Sequence, residues 1–148
     1  MSRIRIDLPE HFLFSTSITV QIGDINYGNH LANDAVLRLC HEARMRWLQS
    51  MNFSELNAGG VGLIMADAAI KYQAQAFHGD ILRLDLGIAD KSSSGFALIY
   101  RISRTKDQTN IALAKIGMVF FDYAAQRVSK IPAAFLSAVD AAVKNKEI

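Results

Sequence analysis

The sequence has one cysteine and two prolines in 148 residues. A single thiol, that of Cys40, excludes an internal disulfide and a zinc site built from cysteines. The start of the chain, MSRIRIDLPEHF, lacks the apolar stretch of a secretory signal peptide. Secreted proteins commonly carry disulfides, and this chain can form none within itself. We therefore expect a reducing, cytoplasmic location.

Long apolar runs and an excess of one charge are also missing. No stretch reaches the roughly 18 uninterrupted apolar residues of a membrane span, so we expect no membrane partner. Sixteen Lys and Arg stand against fourteen Asp and Glu, which gives a net charge of +2. That balance is too mild to indicate a nucleic-acid partner, and we expect none, although an anionic ligand stays open.

Apolar residues are abundant and make up 51% of the chain. A chain of about 150 residues with this content buries enough surface to fold without disulfides or metal ions. We find no internal repeat, low-complexity tract or linker, and Pro9 and Pro132 lie near predicted element boundaries. The prediction is one domain that spans residues 1–148.

Hydrophobic periodicity predicts one long helix and an antiparallel sheet. Residues 17–22 are β-branched and alternating, which is typical of a strand, and residues 32–51 carry an apolar stripe at helical spacing. The remaining predicted elements are strands at 61–76, 80–89, 96–104 and 111–123 and a short helix at 132–144.

This element order indicates the α+β class, with a single sheet wrapped around one central helix. Both faces of such a sheet would be apolar here, so we expect the outward face to pack against another subunit. The candidates for that outward face are Ala66, Ala68, Ile70, Ala112, Ala114 and Ile116.

The segment GDINYGNHLANDAVLRLCHEAR, residues 23–44, carries the clearest chemical signal. A strand end delivers Asp24 and Asn26, and a turn then opens the long helix. The unpaired N–H groups of a helix N-terminus can polarise a carbonyl and stabilise an oxyanion. A carboxylate nearby can activate water or attack directly, and Gly28 lets a ligand approach the backbone closely. The arrangement suits acyl transfer.

With the element order, this segment resembles the hot-dog fold thioesterases of the 4-hydroxybenzoyl-CoA thioesterase type. The family pattern is roughly Asp-x-Asp, a Gly-His turn, Val-Asn-Asn and a helix that ends near Glu-Ala-Arg. The matching residues here are Asp24, Asn26, Gly28-Asn29-His30, Leu31-Ala32-Asn33 and Glu42-Ala43-Arg44. A second family motif matches Tyr72, Gln75 in place of the usual proline, and Gly79-Asp80. The resemblance covers residues 16–123.

The resemblance implies a homodimer or homotetramer that hydrolyses an acyl-CoA thioester, with coenzyme A as part of the substrate and no bound cofactor. It implies that the helix N-terminus polarises the thioester carbonyl, that Asp24 activates water and that Asn26 positions it. The implied substrate-binding residues are Tyr27, Gly28, Asn29, Leu31, Asn33, Tyr72 and His78. Tyr27 lines the acyl pocket or fills the core, and His78 lies near the coenzyme A phosphates or only joins two strands.

One position departs from the family. Asn26 stands where the family usually has its catalytic carboxylate, and an amide cannot take a proton from water near neutral pH. Three alternatives stay open: Asp24 supplies the carboxylate, Asp67 reaches the site across a subunit interface, or Asn26 only orients substrate in a slow enzyme or a binder. If Asp24 is the base, Asp24→Asn lowers kcat far more than KM.

The histidines predict no metal site, because His11, His30, His41 and His78 show no ligand spacing. His30 is either a structural link between turn and helix or part of the chemistry. The hypothesis is therefore an acyl-CoA thioesterase. Its alternatives are an acyl-thioester-binding protein that does not cleave its ligand and a hydratase or dehydratase on the same fold, for which His30 is the candidate base.

Overall fold

The computed structural model describes residues 3–146, without the side chains of residues 144–146. It contains two helices and a six-stranded sheet. The strands are β1 (Phe14–Thr19), β2 (Gly62–Tyr72), β3 (Ile81–Ala89), β4 (Gly95–Arg104), β5 (Asn110–Asp122) and β6 (Arg127–Val128). The helices are α1 (Asn33–Ser50) and α2 (Ala133–Lys146), and a short 3-10 turn occupies Ile22–Asp24.

The sheet is antiparallel throughout and follows the order β1-β3-β4-β5-β2, with β6 paired to the end of β5. Helix α1 lies against one face, so the predicted α+β sheet wrapped around a long helix is confirmed. Hairpin turns join β3 to β4 and β4 to β5, as the alternation predicts. The strand β2, which follows α1 in sequence, ends up at one edge of the sheet.

Helix α1 forms because its apolar residues recur on one face, where they are buried against the sheet. Ala35, Cys40 and Ala43 are fully buried, and Trp47 is 2% exposed. On the solvent side, Arg46 Nε donates to Glu42 Oε2 at 2.9 Å, the i,i+4 pair expected from the sequence.

The inner face of the sheet corrects one sequence prediction. Ala112, Ala114 and Ile116, expected on the outward face, are fully buried on the helix side. The register places Ala68 opposite Ile116 and Ile70 opposite Ala114, so these residues face the helix side as well. Both faces of β5 are apolar, and alternation alone separates two faces without showing which one meets the helix.

Part of the outward face of the sheet, over β3 and β4, is covered by the chain itself. Ile6, from the segment before β1, is 8% exposed and packs with Ala97 and Ile99, which are 5% and 1% exposed. The sequence predicted that a partner subunit would pack on this face. Over β3 and β4, residues 3–12 of the same chain pack on it instead.

A buried carboxylate on this outward face holds three neighbours. Asp85 is 2% exposed. It accepts hydrogen bonds from Arg83 Nε at 2.9 Å, from Arg101 Nη2 at 3.1 Å and from the hydroxyl of Ser15. Burial by itself raises the pKa of Asp85, but the hydrogen bonds from Ser15, Arg101 and Arg83 outweigh it and hold the pKa below its usual range.

Replacing Asp85 by Asn is expected to lower the free energy of unfolding by about 1–3 kcal/mol at neutral pH, because charged hydrogen bonds are lost. A lowered folded pKa stabilises the fold above the unfolded value of about 3.9, and this contribution is lost as pH falls through the folded value. Urea unfolding should show that the difference in free energy of unfolding between the parent chain and Asp85→Asn becomes smaller toward low pH. Asp140→Asn, at an exposed site on α2, is the control. A difference that does not change with pH would contradict this role.

Candidate active site

A cavity of about 480 Å³ opens where the start of α1 meets the end of β2. Its volume lies in the range of small-molecule sites. Polar and apolar side chains share the lining, which consists of Asn26, His30, Leu31, Asn33, Val36, Tyr72, Gln73, Ala74, Gln75, Ala76 and Ile111.

The turn before α1 is closed by its own backbone. Asn26 N–H donates to the carbonyl of His30 at 3.0 Å, and Asn29 N–H donates to the carbonyl of Asn26 at 3.0 Å. Asn29 adopts a left-handed φ of 67°, which asparagine tolerates better than most residues. Leu31 N–H donates to the carbonyl of Ala76 at 2.7 Å and ties the turn to the segment after β2. The turn thereby holds Asn26 and His30 at the cavity.

Asn26 and His30 border the same small space beside Gly28. Asn26 Oδ1 accepts the N–H of Gly28 at 3.0 Å. A Cβ atom built on Gly28 would lie 3.2 Å from Asn26 Oδ1 and 3.3 Å from His30 Nε2. With Oδ1 engaged, the NH₂ group of Asn26 is the part of the amide that can donate to a ligand.

The other ring nitrogen of His30, Nδ1, lies 3.4 Å from the carbonyl oxygen of Leu31. If Nδ1 carries the proton, it donates a hydrogen bond to that carbonyl and Nε2 is the basic nitrogen. The arrangement therefore offers a base and an amide donor side by side.

The first turn of α1 adds a backbone donor. Ala32 stands at the N-cap position and has no side-chain oxygen to cap the helix. Asp34 N–H donates to Asn33 Oδ1 at 2.9 Å and Ala35 N–H to the carbonyl of Ala32 at 3.1 Å. The first-turn donor offered to the cavity is therefore the N–H of Asn33. Tyr72 crosses from β2 and its hydroxyl donates to the carbonyl of Asn33 at 2.8 Å. This bond fixes the side of the cavity next to the helix start.

Asp24 does not line the cavity. Its Oδ2 accepts the N–H of Gln21 at 2.9 Å, and its Oδ1 lies 3.4 Å from Arg38 Nη2. Its backbone carbonyl accepts the N–H of Ala32 at 2.9 Å. Asp24 thus joins the 3-10 turn to the start of α1.

Asp67 lies on β2 and lines a separate depression on the outward face. The register of β2 and β5 shifts between Met65 and Asp67, which leaves Ala66 as a bulge. At that bulge Asp67 Oδ1 accepts the N–H of Gly117 at 3.1 Å. Within this chain, then, the Asp67 carboxylate completes the pairing of an irregular strand.

The other predicted substrate contacts are spread over two places. Leu31, Asn33 and Tyr72 line the cavity. Tyr27, Gly28 and Asn29 are exposed in the turn beside it. His78 borders a different depression of about 380 Å³, which also includes Arg104 and Lys106.

Residues 73–76 line the cavity, although the sequence analysis did not predict them as site residues. They were expected to continue β2, but the strand ends at Tyr72 and Gln73 and Ala74 donate to the carbonyl of Ile111 instead. Gln75 takes the family's proline position, and a proline there would have indicated the end of the strand. The feature of the sequence that could have indicated the end of β2 was therefore the family motif around Gln75, and not the alternation of apolar residues.

Other reactive groups lie away from the cavity. Cys40 is buried in α1, and burial raises the pKa of its thiol to about 12. Among residues 3–146, no three His, Cys, Asp or Glu side chains are grouped closely enough to hold a metal ion. The expectation of a metal-free site stays a prediction. Within the same range, neither helix is both long and apolar enough to cross a membrane.

Comparison with known proteins gives the family. Residues 20–139 match the family model described as the thioesterase-like superfamily. A 1,4-dihydroxy-2-naphthoyl-CoA hydrolase of Synechocystis sp. (strain ATCC 27184 / PCC 6803 / Kazusa) is 27% identical over 129 residues, which cover 85% of this chain and 94% of that protein.

Solved structures agree with the family model. The crystal structure of a 1,4-dihydroxy-2-naphthoyl-CoA thioesterase from Synechocystis matches with a TM-score of 0.79 and 26% identity, over 86% of this chain and 95% of that one. A Staphylococcus aureus protein solved in complex with CoA matches with a TM-score of 0.80 and 17% identity, over 95% and 89% of the two chains. The chain belongs to the thioesterase-like superfamily, and the hot-dog thioesterase predicted from its sequence is confirmed.

Proposed function

We propose that this chain hydrolyses acyl-CoA thioesters in the cavity at the start of α1, with His30 as general base. The observation that carries the mechanism is that Asn26 Oδ1 and His30 Nε2 border the same space, 3.2 and 3.3 Å from where a Cβ atom on Gly28 would lie. The naming of the Synechocystis relative as a 1,4-dihydroxy-2-naphthoyl-CoA hydrolase supports the reaction class.

In the proposed reaction, His30 Nε2 accepts a proton from water as the water oxygen attacks the thioester carbon. The Asn26 amide and the Asn33 N–H at the start of α1 donate to the carbonyl oxygen and stabilise its developing negative charge. The carbon–sulfur bond then breaks, and the proton on His30 passes to the coenzyme A sulfur. The products are the free acid and coenzyme A, and the reaction calls on no metal ion and no bound cofactor.

The carboxylates take other roles in this proposal. Asp24 is a positioning residue, because its contacts with Gln21 and Arg38 hold the turn that presents Asn26. Asp24 as the base is the competing mechanism, and it requires the carboxylate to leave both partners and turn into the cavity. Asp67 would reach a cavity only in another copy of the chain.

We also propose that two copies pair through β2. This strand lies at the sheet edge, and four consecutive residues, 65–68, are exposed although they lie in the middle of the strand. An exposed edge of this length offers unpaired backbone groups to another strand. An antiparallel β2–β2 contact gives a homodimer with one continuous sheet. A cytoplasmic location, which suits the unpaired Cys40, belongs to the same proposal.

Thiol release from a panel of acyl-CoAs tests the reaction: acetyl-CoA, 4-hydroxybenzoyl-CoA and palmitoyl-CoA. We expect fastest release from the aromatic member, because polar side chains of the cavity lining can hydrogen-bond its hydroxyl group and because the Synechocystis relative is named for an aromatic acyl group. The buried Cys40 thiol gives no background with thiol reagents. Asp24→Asn is expected to keep kcat within about tenfold of the parent chain if Asp24 only positions the turn.

Two results would overturn parts of the proposal. Tight binding of all three acyl-CoAs without thiol release would favour a binding protein. A fall in kcat of more than about a thousandfold in Asp24→Asn, with KM unchanged, would make Asp24 the base.

A further inference from the structure

The connection between β2 and β3, residues 73–80, forms one wall of the proposed active site. Its first four residues line the cavity. The carbonyl of Ala76 accepts the N–H of Leu31 at 2.7 Å, which ties this wall to the turn that holds His30. The position of the connection therefore decides how much of the cavity is formed before a ligand binds.

A side chain from the next hairpin holds the middle of this connection. Arg104 is the last residue of β4, and its Nη1 donates to the carbonyl of Gln75 at 3.0 Å and to Asp80 Oδ2 at 3.2 Å. Asp80 Oδ2 also accepts the N–H of Phe77 at 2.9 Å. One nitrogen of Arg104 thus binds both a backbone carbonyl of the cavity wall and the carboxylate that closes the turn after it.

Arg104 is itself fixed from the turn between β4 and β5. Its Nε donates to both carboxylate oxygens of Asp107 at 3.1 Å, and its Nη2 lies 3.1 Å from Asp107 Oδ2. Asp107 Oδ1 also accepts the N–H of Thr109 at 3.1 Å. The Arg104 side chain is only 14% exposed. A planar guanidinium can hold two carboxylates and a carbonyl together, whereas the single ammonium of a lysine cannot span all three.

The backbone of Gln75 has little else to hold it. Among residues 3–146, the N–H of Gln75 has no hydrogen-bond partner, and its side chain is exposed. Its φ is not positive, and the family pattern has proline at this position. A proline here would lose no hydrogen bond and would restrict the backbone without help from Arg104.

We propose that Arg104 is a positioning residue for the hydrolysis, which holds residues 73–76 in place as a cavity wall before the acyl-CoA binds. This inference rests on the proposed function. A wall that is in place for about a tenth of the time weakens apparent binding about tenfold. Once the ligand is bound the wall is formed in either case, so proton transfer to His30 proceeds at a similar rate. Loss of the Arg104 contacts should therefore raise KM and change kcat little.

The test is Arg104→Lys in the full-length chain, a change that keeps a positive charge between the two carboxylates. KM for the acyl-CoA that the parent chain hydrolyses fastest is expected to rise about tenfold, with kcat within about threefold of the parent value. Arg101→Lys is the matched control. It makes the same change on the same strand, at a guanidinium that Asp85 holds on the outward face, and should leave KM unchanged.

A second variant separates this role from a general loss of stability. Gln75→Pro, added to Arg104→Lys, is expected to return KM to within about twofold of the parent value, because proline restricts the connection by itself. Amide hydrogen exchange over residues 73–80, measured without substrate, should be faster in Arg104→Lys and return toward the parent rate in the double variant.

Three results would overturn the proposal: KM and exchange both unchanged in Arg104→Lys, a fall in kcat and melting temperature at constant KM, or a raised KM that Gln75→Pro does not restore. The second is what a purely structural role would give. Failure of the proposed function is recognised separately, because the parent chain then releases no thiol from any acyl-CoA. In that case faster exchange over residues 73–80 in Arg104→Lys still supports the hold by Arg104, and equal exchange overturns it.

Discussion

His30→Ala is expected to lower kcat for acyl-CoA hydrolysis by about 10²- to 10⁴-fold, the usual contribution of a positioned general base. KM should change little, because the imidazole acts on water and contributes little to binding of the carrier. Added imidazole is expected to restore part of the lost rate, since the substitution opens space at the cavity. Thiol release under saturating and limiting substrate separates kcat from KM.

His41→Ala is the matched control for this experiment. His41 is exposed on α1, lies outside the cavity, and its Nε2 is 2.5 Å from Glu55 Oε1. Its replacement should leave kcat within about threefold of the parent chain. Equal losses in the two variants, or a loss in His30→Ala confined to KM, would remove His30 from the proton transfer.

The second large effect is expected from Gly28→Ala, which should lower kcat/KM by about 10- to 100-fold. The added methyl group would press on Asn26 Oδ1 at 3.2 Å and on His30 Nε2 at 3.3 Å, so both groups must move from the space they border. The backbone is not the cause, because Gly28 is outside the left-handed region where glycine is required. The effect on the melting temperature should be small, since Gly28 is exposed.

Gly23→Ala makes the same chemical change five residues earlier. A Cβ atom on Gly23 meets nothing within 4 Å, so activity should stay within about twofold of the parent chain. The pair of variants distinguishes crowding at the cavity from a general effect on the turn. If both glycines tolerate alanine equally, the space beside Gly28 takes no part in the reaction.

The sequence alone was enough to predict most of the architecture. The stripe in α1 gave bounds of 32–51 against the observed Asn33–Ser50, because a buried helix needs regular apolar spacing over its whole length. The strand at 80–89 agrees equally well with β3, Ile81–Ala89, since one of its faces is charged. Where both faces are apolar, as in β5, the inward side could not be determined from alternation.

The candidate site was harder to predict because it depends on where regular structure stops. Alternation along a strand would place Asp24 and Asn26 on one side, but a 3-10 turn at Ile22–Asp24 breaks the strand and separates their side chains. Residues 73–76 carry Gln75 in place of the family's proline, and their position beside the start of α1 follows from tertiary contacts such as the Leu31 N–H bond to the carbonyl of Ala76. Residues 3–12 likewise have no periodicity, so their place on the sheet could not be read from their spacing.

The buried cysteine has a consequence for an enzyme whose product is itself a thiol. Each turnover would release coenzyme A, which forms disulfides when it is oxidised. Exchange with such a disulfide requires an accessible thiolate on the protein. Cys40 is fully buried and its pKa is raised to about 12, so it remains protonated and out of reach. Oxidised coenzyme A therefore has no accessible cysteine to modify on the folded chain, and we expect no loss of hydrolysis through a mixed disulfide with the protein.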